Sequence, residues 1–407
     1  MHHKELSYFC TTQIYMLMVK YILYLSLLAF VLFAAYSCNF ESKQADVQKN
    51  ELKDSAKASF NTTIKYAKGF SVENHTTYQR LIVHNPWNRS QELGVYILVD
   101  QEHAKEVDLQ VGERIITVPI SRFAIMSSSN IGYFELLQKL NLIKAVADGN
   151  RLYNKILRNG IQQGSVQVLG NSAQINTEEL IMCNCGAFIQ TAYGAHSSVD
   201  QSLIDAGVPL IYNVDWMEKS PLARAEWIKF MGALTGENEK ADSIFNTIER
   251  NYDALKNLVD TLSYKPDVLI GALYKDVWYM PGGASFKAQF LADAGANYHW
   301  ANDSTKGSLA LSFETVLEQQ IDAPIWIEVP FKSKQQLLSS DERYAFLDAF
   351  KIGAMYHNLK RSNDTGGNDY WEMGLCRPDE ILLDLIRIFH PEYAPDGVLK
   401  YYERVDK

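Results

Sequence analysis

The sequence has few of the residues that cross-link a chain or attract a polyanion. Five cysteines are spread over 407 residues, too few and too scattered for a disulfide framework. The formal net charge is −9, with no basic block. This excludes a nucleic-acid scaffold, which needs clustered positive charge against phosphates. A hydrophobic fraction of 47% excludes long-range disorder and suffices for one large domain or two ordinary ones.

Reactive motifs are absent as well. No G-x-S-x-G elbow, G-x-x-x-x-G-K-[ST] loop, G-x-G-x-x-G turn or H-E-x-x-H helix occurs, which disfavours the enzymes that depend on them. The nine histidines are dispersed, so neither a metal site nor a cofactor is predicted. Cys183 and Cys185 lack the two-residue spacing of a redox motif, and we interpret them as a buried pair at a helix end.

One long apolar run lies near the amino terminus. Residues 21–36 (YILYLSLLAFVLFAAY) are uncharged, follow Lys20 and precede a polar stretch, which is the layout of a secretory signal. At about 1.5 Å per residue this run spans roughly 24 Å, short of the ~30 Å hydrocarbon core of a bilayer. We therefore predict a cleaved signal peptide over residues 1–37, with Met16 or Met18 as alternative starts.

The small residues before Cys38 resemble a bacterial lipobox, in which the cysteine is acylated and becomes the new amino terminus. An uncleaved signal anchor and ordinary cleavage with a free Cys38 are the alternatives. Residues 38–62 are rich in polar residues without a sustained apolar period, which predicts a lipidated tether. We expect a periplasmic protein held at a membrane surface by the lipid at Cys38, although the sequence does not indicate which leaflet holds it.

The folded part begins with short runs of β-branched and aromatic residues separated by turns, the first of them over residues 63–70. These runs predict an antiparallel strand region. Strand, loop and helix then alternate up to residue 219, which indicates a largely parallel sheet with its ligand edge at the carboxyl ends of the strands. We assign residues 63–219 to an N-terminal lobe that includes the leading β region.

A long helical pattern follows. Ser220 and Pro221 are typical of a helix start, and apolar residues recur every three or four positions from Ala241 to Leu262. About 25 helical residues extend roughly 38 Å, enough to connect two lobes; two ordinary surface helices are the alternative. Residues 220–263 are assigned to connecting helices. A second strand and helix series, including a strand over 267–274, assigns residues 264–407 to a C-terminal lobe.

The predicted fold class is therefore α/β, with two Rossmann-like lobes of mostly parallel sheets joined by a long backbone helix. Large aromatic residues mark the strand-to-helix loops, where stiff amphipathic rings hold a bulky ligand. His196 lies in one of these loops as a further residue of interest. The candidate ligand-binding residues are Ser128, Tyr193, Trp216, Tyr274, Trp278, Tyr279, Phe331, Tyr370 and Trp371.

Two glutamates occupy parallel contexts. Glu178 follows Asn176, and Glu314 follows Ser312, so in each case a capping residue precedes an acid in the first helical turn. Complementarity to the helix dipole, worth about 0.3–1 kcal/mol, accounts for this placement without a function.

Five segments, in the order in which they occur along the chain, resemble the periplasmic iron-siderophore and cobalamin binding proteins of ABC importers. The resemblance runs from roughly residue 114 to the end and is strongest to lipoprotein members from Bacteroidetes-type bacteria. It implies two lobes joined by a rigid helix, a ligand held between them, no enzymatic activity and an ABC permease partner in the inner membrane. We also expect a monomer. The segments are 121–148, 176–181, 206–212, 220–232 and 368–391.

The resemblance also implies roles for individual residues. Glu178 and Glu314 match the glutamates with which family members dock onto permease arginines. Tyr193, Tyr274, Trp278 or Tyr279, and Asp369 with Tyr370 or Trp371, match positions near the ligand. Cobalamin-binding members carry an aromatic residue before the second docking helix where this chain has Gly307-Ser-Leu-Ala-Leu. That departure favours an iron chelate over a cobalamin-like ligand.

Two further alternatives remain open. One is haem in the same transport role, with a tyrosine or His196 as axial ligand. The other belongs to a different class: an exported α/β hydrolase-type enzyme in which Asp369 or Asp215 acts as general acid or base.

Overall fold

The computed structural model describes residues 62–194, 198–394 and 397–406. The predicted signal peptide, Cys38, most of the predicted tether and His196 lie outside these ranges. The described residues belong to one compact unit. Within the described ranges, no helix combines the length and the apolar composition that crossing a membrane requires.

Eighteen strands are described. They are β1 (Phe70–Asn74), β2 (Tyr78–His84), β3 (Glu92–Val99), β4 (Glu113–Thr117), β5 (Phe123–Ile125), β6 (Ile143–Val146), β7 (Gln167–Val168), β8 (Gly170–Asn171), β9 (Gln174–Ile175), β10 (Ala187–Thr191), β11 (Leu210–Asn213), β12 (Val268–Ile270), β13 (Leu273–Tyr274), β14 (Val277–Pro281), β15 (Ser308–Leu311), β16 (Ile325–Ile327), β17 (Met355–His357) and β18 (Glu403–Arg404).

Thirteen α-helices lie between and around these strands in the described ranges. They are α1 (Ile131–Leu136), α2 (Lys155–Gln162), α3 (Thr177–Cys183), α4 (Ser198–Asp205), α5 (Pro221–Ala225), α6 (Trp227–Thr235), α7 (Asn238–Val259), α8 (Phe286–Asp293), α9 (Phe313–Gln320), α10 (Lys334–Ser340), α11 (Asp348–Ile352), α12 (Asp369–Glu372) and α13 (Pro378–Phe389).

The leading β region is a four-stranded sheet in the order β1-β2-β3-β4. The predicted strand over residues 63–70 is wrong before Phe70. Backbone N–H groups there donate to two buried carboxylates: Lys65, Tyr66 and Ala67 to Glu226, at 2.7–2.9 Å, and Lys68 and Gly69 to Glu218. The sheet is also mixed, because β4 pairs with β3 in parallel.

The N-terminal lobe is built on a parallel sheet in the order β11-β10-β5-β6-β7. Its central strands are buried on both faces, as in Phe123, Ala124 and Ile125 of β5, because helices cover both sides. The carboxyl ends of β5, β10 and β11 therefore meet at one edge.

The C-terminal lobe repeats this arrangement with β12-β16-β17 in parallel and β18 antiparallel at the edge. The predicted strand over residues 267–274 is interrupted at Gly271, whose positive φ of 75° turns the chain. Its second part, β13, instead joins β14 and β15 in a separate antiparallel sheet.

Helix α7 contacts both lobes. It has 22 residues, a length of about 33 Å. Near its amino end Phe245 packs on Tyr66, with ring centroids 6.0 Å apart. Further along, the Tyr252 hydroxyl donates to Asp293 of α8 at 2.8 Å. The α/β fold with parallel sheets and a long connecting helix is thus confirmed, while the lobe boundaries stay predictions.

Candidate functional site

The two lobes meet at the carboxyl ends of their parallel strands. Glu372 of α12 accepts hydrogen bonds from the backbone N–H groups of Tyr153, at 2.6 Å, and Asn154, at 2.9 Å. Burial raises the pKa of the Glu372 carboxyl to about 7, although these two N–H groups oppose the shift. The contact fixes one side of the cleft between the lobes.

A buried polar network forms the C-terminal wall of the cleft. Glu328 follows β16 directly and has a positive φ of 54°, a conformation that costs free energy in a residue with a side chain. Its carboxylate forms an ion pair with Lys287 and accepts hydrogen bonds from the hydroxyls of Tyr370, at 2.9 Å, and Tyr402, at 3.1 Å. Three donors thus converge on one carboxylate at the ligand edge.

Lys287 is held between this carboxylate and two rings. Its Nζ donates to the Tyr370 hydroxyl at 2.8 Å and lies 4.7 Å from the centroid of that ring and 5.0 Å from the Trp371 ring. Burial lowers the pKa of the Lys287 ammonium despite the neighbouring charge of Glu328. Cation–π contacts of this kind strengthen when they are shielded from water.

A second buried cation lies on the connecting helix α5. Arg224 Nε lies 3.6 Å from the Asp215 carboxylate, and the Arg224 guanidinium lies 5.2 Å from the ring centroid of Phe286 in the C-terminal lobe. The Tyr133 hydroxyl lies within hydrogen-bond distance of both Asp215 and the Arg224 carbonyl. Arg224 on the connecting helix α5 and Lys287 on α8 of the C-terminal lobe are thus two buried cations in neighbouring helices.

Unpartnered polar atoms line the same edge. Thr191 and Asn213 end β10 and β11, and Asn130 follows β5. Within the described ranges, the Thr191 hydroxyl, the Asn213 Nδ2, both amide atoms of Asn130 and the Arg224 Nε are buried without a hydrogen-bond partner. Because orphaned buried polar atoms cost free energy, their concentration at one strand edge is typical of a binding site.

Aromatic rings form a ladder on the N-terminal side of the cleft. Tyr193, 67% exposed, lies 5.6 Å from Trp216, which lies 6.3 Å from Trp87. The Trp216 indole donates to the Ala192 carbonyl at 3.0 Å, which fixes its orientation. The sequence-predicted residues Tyr193 and Trp216 are thus brought together, and Trp87 joins them from the β2–β3 connection. Ser128 lies half-buried in the turn after β5.

The aromatic candidates of the C-terminal lobe differ in their exposure to solvent. Trp371 is 42% exposed above Lys287, whereas Tyr370 is buried in the network. Trp278 is 0% exposed and donates to the Ile270 carbonyl at 2.9 Å. The structure therefore places Trp278 in the core, because it packs on Trp326 and Tyr344.

The remaining candidates lie at other places in the C-terminal lobe. Tyr274 and Tyr279 are exposed on the β13–β14 hairpin. Phe331 lines a separate surface cavity with Leu359 and residues of α10. Asp369 is buried and ion-paired with Arg361 at 2.6 Å, an arrangement that fixes α12 and its tryptophan.

Glu178 and Glu314 occupy equivalent helix positions. Each follows the first residue of its helix, after the side-chain caps Asn176 and Ser312. Both are exposed. Glu314 forms an ion pair with Arg343 at 3.0 Å, whereas Glu178 forms no ion pair with any described residue. These contexts match the sequence prediction, and their docking role stays a prediction.

Sequence reasoning missed Arg224, Lys287, Glu328, Tyr402 and Trp87. Glu328 offered a signal, since it directly follows a predicted strand of the C-terminal lobe, at the ligand edge. Lys287 and Arg224 lie on short helices whose sequences carry no functional motif, so only the packing of these two helices in the structure reveals them. Among the described residues, no cluster of three or more His, Cys, Asp or Glu could hold a metal ion.

Comparison with known proteins identifies relatives. The model of a family described as periplasmic binding protein matches residues 128–358. An uncharacterized lipoprotein of Methanocaldococcus jannaschii, MJ0878, is 24% identical over 69% of this chain and 67% of its own length. A second uncharacterized lipoprotein of that organism, MJ0872, is 24% identical over 92% of this chain and 96% of its own length.

Solved structures share the fold. A periplasmic heme-binding protein from Pseudomonas aeruginosa superposes with a TM-score of 0.54 at 15% identity, covering 71% of this chain and 99% of that one. CeuE of Helicobacter pylori, solved with Ni(II) bound, gives a TM-score of 0.53 at 16% identity over 70% of this chain and 89% of its own. At such identities the likeness concerns the fold alone.

Proposed function

Because this chain belongs to the periplasmic binding protein family, whose model matches more than half of it, we propose that it captures an iron chelate between its lobes and delivers it to an ABC permease. The family consists of solute-binding proteins. The identity of the ligand as an iron chelate is inferred from the chemistry of the cleft.

The observation that carries the proposal is the pair of buried cations under an aromatic rim. Arg224 and Lys287 are ion-paired with Asp215 and Glu328. Burial lowers the pKa of Lys287, and the charge of Arg224 is close enough to lower it further. Ferric chelates with excess carboxylate or catecholate groups are bulky anions, so positive charge and rings suit them. A neutral corrinoid would gain less from the two cations.

Haem is a second candidate that one observation favours. Tyr193, Trp216 and Trp87 form a row of rings at the cleft, with Tyr193 largely exposed. A flat macrocycle stacks on such rings, and a tyrosine can serve as an axial ligand to haem iron. Haem also carries carboxylates that Arg224 or Lys287 could pair with. The heme-binding protein from Pseudomonas aeruginosa shares this fold.

The cargo leaves unaltered in this proposal. Asp215 is buried beside Arg224, and Asp369 is ion-paired with Arg361, so the two acids of the alternative enzyme hypothesis are both committed to cations. A carboxylate that is held by a cation is less available to transfer a proton to or from a substrate. We also propose that a lipid at Cys38 holds the chain outside the cytoplasm, and that Glu178 and Glu314 dock it onto the permease.

Ligand titration tests the proposal. We expect ferric citrate, ferrichrome or haemin to quench the fluorescence of the cleft tryptophans Trp87, Trp216 and Trp371 in a saturable manner. Cobalamin should bind more weakly. Quenching by cobalamin alone would show that the ligand is a corrinoid and not an iron chelate. The absence of quenching by every one of them, together with turnover of a small ester or glycoside, would favour the hydrolase alternative.

A further inference from the structure

A cavity of about 620 Å³ lies between the leading β region and the turn that follows β11. Its walls come from four separate parts of the chain: the segment before β1, the β2–β3 connection, the turn between β11 and α5, and the loop before β15 in the C-terminal lobe. Pro86 and Met217, the chain neighbours of Trp87 and Trp216, both line it. The connection that carries Trp87 and the turn that carries Trp216 therefore form part of its lining.

The charges around this cavity are unbalanced. Four cationic side chains line it, and in the described part of the molecule none of them makes an ion pair. They are Lys68, Arg89, Lys219 and Lys306. In a chain with a formal net charge of −9, four unpaired cations around one opening produce a local positive field that attracts anions.

The two carboxylates of the lining are already engaged. Glu218 accepts hydrogen bonds from the N–H groups of Lys68 and Gly69 and from the Trp227 indole, at 2.8–3.1 Å. Glu92 lies 2.9 Å from His84 Nδ1. Neither carboxylate is ion-paired with one of the four cations, and four cations against two carboxylates leave the lining with an excess of positive charge for an anion.

Part of the lining of this cavity comes from residues that precede the range matched by the family model. The family match begins at residue 128, whereas Lys68, Trp87 and Arg89 precede it. An Asx turn fixes the connection that carries Trp87, because the Asn85 side chain accepts hydrogen bonds from the N–H groups of Trp87 and Asn88, both at 3.0 Å. The leading sheet thus positions a ring and a cation at the edge of the cleft.

We propose that the leading sheet completes a second, anion-accepting subsite beside the cleft, which takes free carboxylate groups of the cargo while the ring ladder holds its flat or bulky part. This inference rests on the proposed function for the identity of the cargo. The carboxylates have two sources, a polycarboxylate iron chelate or the propionates of haem. The subsite would favour either over a neutral cargo.

The test uses a double variant that removes two cations of the cavity, Arg89→Gln with Lys219→Gln. Both side chains are exposed, so folding should not change. Lys105→Gln with Lys265→Gln is the matched control, because it removes the same charge from exposed positions that do not line the cavity. Iron-free citrate probes the subsite by calorimetry, and ferric citrate, haemin and neutral ferrichrome probe the cargo by tryptophan fluorescence.

We expect the cavity variant to bind iron-free citrate with an affinity lower by about tenfold or more, a free-energy change that the loss of two charges can supply. Its affinity for ferric citrate or for haemin should fall to a similar degree, and the one that falls identifies the source of the carboxylates. Its affinity for ferrichrome should stay within about twofold. The control should leave every affinity within about twofold.

Two results would overturn the subsite: iron-free citrate fails to bind the unmodified protein, or it binds the cavity variant as tightly as the control. Failure of the proposed function looks different. In that case citrate binding would still depend on Arg89 and Lys219, while ferric citrate, haemin and ferrichrome would all fail to quench the unmodified protein.

Discussion

At the scale of single residues, the cleft concentrates charge that is shielded from water. Lys287 and Glu328 have only 13% and 14% of their side chains exposed, and the positive φ of Glu328 is retained at the end of a strand. Strained and buried polar residues of this kind cluster at functional sites. Their polarity is therefore better explained by ligand binding than by stability.

Lys287→Met tests this role. The substitution leaves Glu328 buried without its cation, which should lower the free energy of unfolding by about 3 kcal/mol. It should also raise the dissociation constant of ferric citrate about tenfold, the equivalent of about 1.4 kcal/mol. Chemical denaturation and fluorescence titration measure the two effects.

The double variant Lys287→Met with Glu328→Gln separates the two effects. Removing both charges should restore most of the stability, since no unpaired ion remains, while ferric citrate binding stays weak. Recovery of binding along with stability would show that Lys287 acts only through folding, and the cationic cleft would lose one of its two supports.

Glu372 makes the stability of the protein depend on pH. Its folded-state pKa of about 7 exceeds the ~4.3 of an unfolded chain, so the folded state holds this proton more tightly. Its contribution is fully present below the unfolded pKa and is lost as pH rises through about 7. Relative to Glu372→Gln, the wild-type free energy of unfolding should fall by up to about 3 kcal/mol between pH 4.5 and pH 8.

Thermal or urea unfolding across that pH range measures the difference. Glu392→Gln, at an exposed position, is the control and should track the wild type at every pH. Parallel stability curves for the wild type and Glu372→Gln would mean that this carboxyl does not titrate between the lobes.

At the scale of elements, a segment without regular structure is held by buried carboxylates. Glu226 is 0% exposed, accepts three consecutive backbone N–H groups and pairs with Lys229 at 3.0 Å. These bonds fix the chain just before β1. The leading sheet is thereby attached to helix α6.

Glu226→Gln should therefore destabilise the protein by about 1–3 kcal/mol, because the amide supplies one acceptor oxygen where the carboxylate supplied two. Urea denaturation should show a lower midpoint with an unchanged slope. The matched control is Glu239→Gln on the exposed surface of α7, which should shift the midpoint little. Equal midpoints for the two variants would contradict this account of the segment.

The helices and strands also show which parts of the fold can be predicted from the sequence. The 3.6-residue period of α7 and the capping residues of α3 and α9 are local, and the predictions from them match the structure. Residues 63–69 carry a strand-like alternation, but their partners, Glu218 and Glu226, lie some 150 residues away. No local pattern reveals such a partner.

The same distinction applies to the site. Tyr193 and Trp216 follow strands, and this position in the sequence predicts both as ligand-binding candidates, with the family resemblance as a second indication for Tyr193. Trp278 has a similar position in the sequence, yet in the structure it lies on β14 with its ring buried against Trp326 and Tyr344. Arg224 and Lys287 are close because the connecting helix α5 packs on α8, and neither helix sequence predicts that contact.

At the scale of the whole molecule, one helix connects lobes that also contact each other directly. Helix α7 packs on both, and Glu372 links α12 to the N-terminal lobe. A continuous helix has no hinge residue, so we expect little closure on ligand binding. The docking of the complex on its permease would then depend on fixed positions of Glu178 and Glu314.

Charge reversal tests docking. Glu178→Lys with Glu314→Lys should abolish import, because each lysine would repel a permease arginine, and should leave the ligand dissociation constant within about twofold. The control, Glu179→Lys with Glu318→Lys, places the same charges on the same helices. Import by cells carrying each variant is the measurement, and undiminished import by the first variant would discard the docking role.

The central claim is that the cleft binds an iron chelate and releases it unaltered. Calorimetric titration of the full chain with ferric citrate, ferrichrome and haemin, followed by mass spectrometry of the recovered ligand, tests it most directly. We predict saturable binding of at least one of them at one per chain, with its mass unchanged after recovery. Binding of none, or recovery of a cleaved or chemically altered ligand, would contradict the claim.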